Sequence, residues 1–532
     1  MKYARRRESR VGESISLSQA SKPILDPHAR PCSNGAMIQA AASALLMLSL
    51  STATPPPPSE PPAARYERTA CADEVAKDEP IECGVLTVPE NRGKAGSRMI
   101  QLPVMRLRSR AEKPGIPFVF LPGGPGVSAV DHQRSGKTNP IVEEHDFILL
   151  EPRGGKHAKP NLECPEINAL TAEASAGRLR GKQFVEAMAG AAGRCRAALT
   201  GAGVDLDGYT TEAIADDLDD LRRAVGIEKW SLMGLSYGTR PALELMRRHP
   251  EGLQSVILDS VFPPDVVFDE HPASNLLRSL NLVFDGCAAD RECGAAYPQL
   301  RAQFARLMTS ADARPLALGL DLSMSGGHPL EIRGAQVADA LATGLHQRDT
   351  IPRLPRIISR AASGHPEELA ALVKDTQGPS NFTWGLRMSV TCAEENPFAN
   401  VPRATAQLSP AMGLGGIDGR TVPTEVCRAW NVAPAPARVK EPVRSDLPTL
   451  IYAGEFDPDT PPDWGRQLLE TLPHAYFVEM RGLSHGAGFN LCGRDITLAF
   501  LRDPTHAPPV GCALQLRGAD FGQSAKPPPP SP

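Results

Sequence analysis

Residues Trp230–Gly238 have the sequence WSLMGLSYG, in which an apolar run ends in a Gly-x-Ser-x-Gly pentapeptide. The run is typical of a buried strand, and the residues that follow the pentapeptide favour a helix. The two glycines let the backbone turn sharply and neighbouring strands pack closely, so that the Ser236 hydroxyl projects from the turn. A chance match is the alternative, but the context of this pentapeptide, between a predicted strand and a predicted helix, favours a nucleophile.

Five further short runs, rich in apolar, β-branched or aromatic residues, have the composition of buried parallel strands. They are Phe118–Leu121, Phe147–Leu150, Val256–Leu258, Leu450–Tyr452 and Tyr476–Met480. Helical patterns lie between some of them, such as Glu212–Val225, whose apolar residues recur at helical spacing. Strands that alternate with helices predict an α/β fold with a mostly parallel central sheet.

The strand signals are interrupted in the second half of the chain, which indicates an insertion. They stop after about Leu258 and resume at Leu450, and the intervening residues favour helices and loops. We therefore predict a core formed by residues 65–265 and 441–515, with a mainly helical cap domain at 266–440 inserted between them. Residues 516–532, which end in the proline-rich Lys526–Pro532, are predicted to be a disordered tail.

The overall composition excludes several classes of protein. The chain has 532 residues, of which 41% are apolar and 22% charged, as in ordinary globular proteins. The formal net charge is −4, so no strong basic field points to nucleic acid as a partner. The oligomeric state is not indicated by the sequence.

The N-terminal segment predicts export. Residues 1–36 carry seven Lys or Arg against three acids, and Met37–Ala53 is a charge-free apolar run that ends in small residues. This is typical of a signal peptide, here residues 1–53, followed by a proline-rich linker at 54–64. An uncleaved membrane anchor is the alternative, although the run is short for one. Cleavage would give a periplasmic or secreted protein without stable membrane insertion.

The cysteine count supports the same compartment. Of the 11 cysteines, Cys32 lies in the predicted signal, which leaves an even number. The ten are Cys71, Cys83, Cys164, Cys195, Cys287, Cys293, Cys392, Cys427, Cys492 and Cys512. An even set in an exported protein indicates disulfides, which we expect between sequence neighbours, although sequence alone does not fix connectivity. Free buried thiols in a cytosolic enzyme are the alternative. No spacing of cysteine and histidine indicates zinc, and we expect neither a metal nor a cofactor.

A serine nucleophile needs a base, and the base needs an acid that orients it. Asp457 follows the predicted strand Leu450–Tyr452, and His485 follows the next strand 28 residues later. The carboxyl ends of parallel strands share one edge of a sheet, so the three side chains are expected to meet there. Asp459 and Asp463 are competing acids, and Asp457 is favoured because it comes first after the strand.

Negative charge that develops on a substrate carbonyl oxygen needs fixed N–H donors. Tyr237, directly after the nucleophile, is expected to supply one and Gly124 the other. Pro125 has no N–H to donate. The loop nearly fits a dinucleotide-binding motif at Gly124-x-Gly126-x-x-Ala129, but the proline and the lack of a clear following helix argue against that function.

Taken together, these motifs resemble the proline iminopeptidase and tripeptidyl aminopeptidase branch of the α/β-hydrolases, over about residues 65–515. The resemblance is carried by LPGGPG at 121–126, GLSYGT at 234–239, GEFDPDTP at 454–461 and the C-terminal stretch from Cys492 to Cys512. It implies an α/β-hydrolase fold with an inserted cap and a C-terminal module like that of tripeptidyl aminopeptidases. Neighbouring cysteines of this kind are also usual in those relatives.

Two departures from the family pattern bear on substrate preference. Pro122 stands where the family has histidine, and EPRGGK at 151–156 stands where relatives usually have Asp-Gln-Arg-Gly-Thr-Gly. Both are expected near the substrate mouth.

Amide and ester cleavage can use the same triad, so the triad does not distinguish them. An aminopeptidase must also hold a free ammonium group, for which Glu394 and Glu395 in the cap are candidates, as relatives carry an acid in a similar segment. The alternative is a solvated or structural acidic pair. We expect an exported serine hydrolase, specifically an aminopeptidase that acts on short peptides. A carboxylesterase with the same triad and a catalytically silent binding protein are the alternatives.

Overall fold

The computed structural model describes residues 63–72, 79–132, 139–175, 178–179, 181–318, 331–375, 382–400 and 422–525. The predicted export signal at 1–53 lies outside these ranges, and so does the predicted linker at 54–64 apart from its last two residues.

A nine-stranded sheet forms the centre of the molecule, in the order β1-β2-β3-β5-β4-β6-β7-β10-β11. The strands are β1 (Arg65–Thr69), β2 (Ile81–Pro89), β3 (Met99–Leu107), β4 (Phe118–Leu121), β5 (Phe147–Leu150), β6 (Trp230–Leu235), β7 (Leu253–Asp259), β10 (Thr449–Gly454) and β11 (Ala475–Met480). From β5 to β11 every neighbouring pair is parallel. The prediction of an α/β fold with a mostly parallel sheet is confirmed, and all six predicted strands are present.

Three strands at one side of the sheet were not predicted. β2 is antiparallel to its neighbours β1 and β3, and β3 is antiparallel to β5. Their sequences contain glycine, proline and charged residues, and much of β1 is exposed. A strand that faces solvent lacks the continuous apolar run of a buried parallel strand, so the pattern that identified the other six does not find it.

Helices cover the sheet and fill the connections between its strands. The described α-helices are α1 (Ala129–His132), α2 (Pro165–Ser175), α3 (Gly181–Gly201), α4 (Thr211–Ala224), α5 (Thr239–Arg248), α6 (Pro272–Ala289), α7 (Arg291–Ala296), α8 (Leu300–Ala313), α9 (Gly334–His346), α10 (Leu354–Ala362), α11 (Glu367–Asp375), α12 (Trp384–Glu394), α13 (Thr424–Trp430), α14 (Pro462–Gln467), α15 (Leu491–Arg502) and α16 (Gly511–Leu514). The short strands β8 (Leu316–Ala317) and β9 (Glu331–Ile332) pair with each other.

The helices between β7 and β10 pack in two groups. Helices α6 to α11 share a hydrophobic core of their own, which includes Leu280, Phe304 and Leu341. Helices α12 and α13 instead belong to the core that covers one face of the sheet, where Val390 and Trp430 are buried with residues of α3. The cap boundaries at 266 and 440 stay a prediction, but the segment joins the rest of the molecule through more than one core.

The end of the described chain corrects one expectation. Residues 516–525 were predicted to be disordered, yet Phe521–Ala525 form a 3-10 helix. The Phe521 side chain is buried against the core of α6 to α11, and Ser524 Oγ donates to the carbonyl of Pro352 at 2.5 Å. A buried aromatic ring anchors this segment, and the proline-rich composition of the last seven residues gave no sign of it. Residues 526–532 lie outside the described ranges.

The ten cysteines form five disulfides, each between sequence neighbours as expected. The pairs are Cys71–Cys83, Cys164–Cys195, Cys287–Cys293, Cys392–Cys427 and Cys492–Cys512. Within the described ranges no helix has both the length and the apolar character needed to span a bilayer.

Candidate active site

Ser236 lies at a sharp turn between β6 and α5. Its φ angle is +55°, in the left-handed region that non-glycine residues rarely adopt. The turn leaves no room at its glycines, because a Cβ on Gly234 would lie 2.4 Å from the carbonyl oxygen of Gly238. A Cβ on Gly238 would lie 2.2 Å from the carbonyl oxygen of Leu121 on the neighbouring strand. Close packing therefore requires glycine at both of these positions of the pentapeptide.

Asp457 follows β10 and is completely buried. Its Oδ1 accepts the backbone N–H groups of Asp459 and Thr460, both at 2.9 Å, and its Oδ2 accepts the Thr460 hydroxyl at 2.7 Å. Oδ2 also accepts a hydrogen bond from His485 Nδ1 at 2.9 Å. Burial alone would raise the pKa of this carboxyl group, but the neighbouring imidazole and these donors together lower the pKa to about 2. The group is thus an anion at neutral pH.

His485 lies in the loop after β11, and residues at the end of β7 hold that loop. Ser260 Oγ accepts the N–H of Gly486 at 2.8 Å, and Asp259 Oδ2 accepts the N–H of Gly488 at 2.8 Å. Ser260 itself has a φ of +56°. Neither Asp259 nor Ser260 was singled out in the sequence, where a single Asp-Ser pair after a strand carries no signal.

The competing acids are engaged elsewhere. Asp459 accepts a hydrogen bond from His346 Nε2 at 3.0 Å, and Asp463 is exposed and pairs with Arg466. Among the three acids of this loop, Asp457 is thus the one hydrogen-bonded to His485.

Ser236 and His485 line the same cavity, which has a volume of about 600 Å³. Among the described residues, no hydrogen bond joins Ser236 Oγ to the imidazole of His485. Catalytic hydrogen bonds are often long before substrate binds and tighten in the complex. The structure therefore brings the predicted nucleophile, base and acid to one site at the carboxyl ends of β6, β10 and β11.

The predicted oxyanion loop borders the same cavity. Gly124 has a φ of +115° and precedes a cis peptide bond to Pro125. A Cβ on Gly123 would lie 2.9 Å from the Cβ of Ser236, so this backbone approaches the nucleophile as closely as a glycine allows. The side chain of Tyr237 is buried, and its backbone follows Ser236 directly.

The start of α12 holds this loop in place. The N–H of Thr383 donates to the Gly126 carbonyl at 2.8 Å, and Arg387 Nη1 donates to the Gly124 carbonyl at 2.9 Å. Sequence analysis missed Arg387. A helical signal was available, since Arg387 lies seven residues before Glu394 and hence on the same helix face.

The two glutamates at the end of α12 differ in their partners. Glu394 accepts the N–H and the hydroxyl of Thr211 at 2.7 and 2.6 Å, and the hydroxyl of Thr211 also contacts that of Tyr237 at 2.8 Å. Burial raises the pKa of Glu394. Glu395 forms ion pairs with Arg240 and Lys440. Both line the cavity, but only Glu395 is paired with cations in the described structure.

The departures from the family pattern lie in different places. Pro122 lines the cavity, as expected, whereas none of residues 151–156 is among its lining residues. Glu151 is buried and accepts the hydroxyl of Ser128 at 2.8 Å, next to α1. Arg153 is also buried and donates to Asp217 at 2.6 and 2.7 Å. This segment therefore supports the loop behind the site, and the expectation that it lies at the substrate mouth is wrong.

Comparison with known proteins agrees with this arrangement. The family model described as alpha/beta hydrolase fold matches residues 116–489. The chain is 25% identical over 472 residues to the serine protease Hip1 of Mycobacterium tuberculosis, covering 81% of this chain and 86% of that protein. It is 28% identical over 204 residues to a tripeptidyl aminopeptidase of Streptomyces lividans, covering 36% of this chain and 38% of that one. It is 25% identical over 148 residues to a proline iminopeptidase of Neisseria meningitidis, covering 28% and 33%. The chain therefore belongs to the α/β-hydrolase fold family.

Proposed function

We propose that this protein is an exported serine hydrolase that acts as an aminopeptidase, removing residues or short peptides from the free N-terminus of peptide substrates. The observation that carries the proposal is the position of Glu394, a buried carboxylate without an ion-pair partner in the described structure, on the wall of the cavity that also contains Ser236.

The reaction follows from the groups around Ser236. His485 Nε2 accepts the hydroxyl proton as Ser236 Oγ attacks the substrate carbonyl, and Asp457 holds the imidazole tautomer through Nδ1. The N–H groups of Tyr237 and Gly124 stabilise the oxyanion. His485 then donates its proton to the leaving amine, which departs and leaves an acyl-enzyme. Water, deprotonated by the same imidazole, attacks the ester and regenerates Ser236.

Glu394 is better suited than Glu395 to bind an ammonium group. The Arg240 and Lys440 cations already neutralise Glu395, whereas Glu394 accepts only uncharged donors from Thr211. A buried carboxylate without a cationic partner gains most from an incoming positive charge, because the charge-assisted hydrogen bond offsets its desolvation. The Thr211 hydroxyl links Glu394 to Tyr237, and so connects the ammonium site to the residue next to the nucleophile.

Export is supported by the disulfides, which persist in oxidising compartments and are rare in the cytosol. A folded protein substrate does not fit a cavity of about 600 Å³, whereas a short peptide does.

The central test compares peptidyl p-nitroanilides that have a free or an acetylated N-terminus. We expect acetylation to lower kcat/KM at least tenfold, and Glu394→Gln to remove most of that preference. Glu425→Gln, at an exposed position of α13, is the matched control and should leave the preference unchanged. Equal cleavage of both substrates, or cleavage of simple esters alone, would favour a carboxylesterase.

A second test addresses a catalytically silent binding protein. A fluorophosphonate probe should label the wild-type protein and fail to label Ser236→Ala. Absence of labelling in folded wild-type protein would contradict every hydrolase proposal for this site.

A further inference from the structure

We propose that the cavity binds both ends of a short zwitterionic peptide, with the N-terminal ammonium at Glu394 and the C-terminal carboxylate at Arg387. The inference rests on the proposed aminopeptidase function and adds the class of substrate, which is a peptide of about three residues with both termini free.

Helix α12 sets the distance between the two charges. Arg387, Thr391 and Glu394 are spaced by four and three residues, so they share one face of the helix, and all three line the cavity. Seven residues at 1.5 Å per residue separate the backbone positions of Arg387 and Glu394 by about 10 Å along the helix axis. An extended peptide covers roughly 3.3–3.6 Å per residue, so about three residues span this distance.

Arg387 has the chemistry of a carboxylate site. Its Nη1 donates to the Gly124 carbonyl, and its guanidinium lies 4.4 Å from the centre of the Phe382 ring. In the described part of the chain no acceptor lies within hydrogen-bond distance of its buried Nε, and no carboxylate lies within ion-pair distance of the group. A guanidinium binds a carboxylate in a fork, and an aromatic face beneath it leaves the edge of the fork available.

The other arginine on the cavity wall shows what is unusual about Arg387. Arg240 is buried against Phe262 and is neutralised by Glu395. Asp269 and Asp459 are the acids that act on Arg387, and both lie beyond ion-pair distance. Burial lowers the pKa of Arg387 to about 10, and the charges of these two acids partly offset that effect. It remains a cation at neutral pH, so a desolvated positive charge faces the substrate space without an ion-pair partner. A substrate carboxylate would supply one.

A purely structural role for Arg387 is the competing explanation, since it also holds the oxyanion loop through the Gly124 carbonyl. That role predicts equal losses on all substrates, mainly in kcat. A carboxylate site predicts a loss confined to substrates with a free C-terminus, mainly in KM. The two explanations are therefore separable by substrate chemistry.

The experiment uses the full chain and four versions of one tripeptide, with the N-terminus free or acetylated and the C-terminus free or amidated. With a free N-terminus, amidation should lower kcat/KM about 10- to 100-fold, the range expected for a hydrogen bond between charged groups. Arg387→Gln removes the charge and shortens the side chain, so the variant should cleave the free acid no better than the amide, whatever it loses on both through the Gly124 carbonyl. Arg291→Gln, at an exposed position on α7, is the matched control.

A length series extends the test. The penalty for amidation should be largest near three residues and vanish beyond about five, where the C-terminus no longer reaches Arg387. If amidation has no effect while acetylation blocks cleavage, this inference is overturned and the aminopeptidase proposal stands. If acetylation has no effect either, the aminopeptidase proposal itself fails. Equal losses of Arg387→Gln on acid and amide would assign a positioning role and overturn the carboxylate site. Should that variant not fold, the wild-type amidation and length series decide alone.

Discussion

Asp457 Oδ2 accepts the Nδ1 proton of His485 at 2.9 Å, while Asp457 Oδ1 is held by two backbone N–H groups two and three residues ahead in its own loop. The carboxylate is therefore fixed from both sides before any substrate binds. Among the described residues, the imidazole that it orients is hydrogen-bonded through Nδ1 alone, which leaves Nε2 for the proton of Ser236.

Replacing Asp457 by asparagine should reduce kcat by about 10³- to 10⁴-fold, because an amide at this position favours the wrong imidazole tautomer. Thermal unfolding and kcat on a peptidyl p-nitroanilide measure the effect. Asp463→Asn is the control, since that side chain is exposed and pairs with Arg466. Retention of more than a tenth of wild-type activity by Asp457→Asn would exclude Asp457 as the orienting acid.

The pH dependence of kcat/KM should have an acid limb above pH 6.5. Burial lowers the pKa of His485, but the charge of Asp457 and the hydrogen bond to it outweigh burial, so the pKa is raised above the ordinary value. His485 must be neutral to accept a proton, so activity is lost below its pKa and rises as the pH increases through it. Asp459→Asn removes another negative charge that raises this pKa. It should move the limb to lower pH; an unmoved limb, or a wild-type limb at or below 6.5, would contradict the assignment.

A methyl group at Gly238 should destabilise the nucleophile turn. Its Cβ would lie 2.2 Å from the Leu121 carbonyl oxygen, so Gly238→Ala is expected to lower the free energy of unfolding by about 2 kcal/mol and to reduce activity. Gly193→Ala provides the contrast, because apart from the neighbouring residues and backbone of its own helix α3, no atom of the described chain lies within 4 Å of the added Cβ. That variant should gain roughly 0.5–1 kcal/mol from helix propensity. Similar denaturant midpoints for the two variants would contradict this account.

The disulfide Cys392–Cys427 joins α12 to α13 across 35 residues. Replacing both cysteines by alanine should lower stability by about 3–4 kcal/mol in the chain-entropy model and raise KM for free-amine peptides, because α12 carries Glu394. The same change at Cys287–Cys293, which closes a loop of 6 residues among the helices of the other core, should leave KM unchanged. Identical KM effects from both pairs would show that general destabilisation, and not the position of α12, is responsible.

The sequence was most informative where one local pattern carries a structural requirement. Strands buried on both faces are continuously apolar, so all six central strands were identified, together with the turn at Ser236. The strands β1 to β3, of which β1 is largely exposed and β2 and β3 are only partly buried, have no such pattern. The 3-10 helix at Phe521–Ala525 depends on one ring that packs against distant helices, and composition does not reveal such a contact.

The residues of the candidate site also fall into those that the sequence predicted and those that it did not. Ser236, Asp457 and His485 each follow a strand, so their meeting at one sheet edge was predictable from chain order. Thr211 and Arg387 lie on helices and contact residues far away in the sequence. Their contacts with Glu394 and Gly124 span 183 and 263 residues of sequence, so helical spacing could place Arg387 on the face of Glu394 but could not show either contact.

By itself, the sequence determined the fold class and the strand-end residues of the candidate site, because both depend on residues close together in the chain or on the order of strands. It favoured pairing of cysteine neighbours, and the tertiary structure decided the connectivity. Only the tertiary structure decided that Asp457 and not Asp459 contacts His485, that Glu395 is neutralised while Glu394 is not, and that Arg387 shares their cavity. Charge pairing and desolvation depend on which side chains meet in space. In this protein, the packing of helices from distant parts of the chain decides which side chains meet.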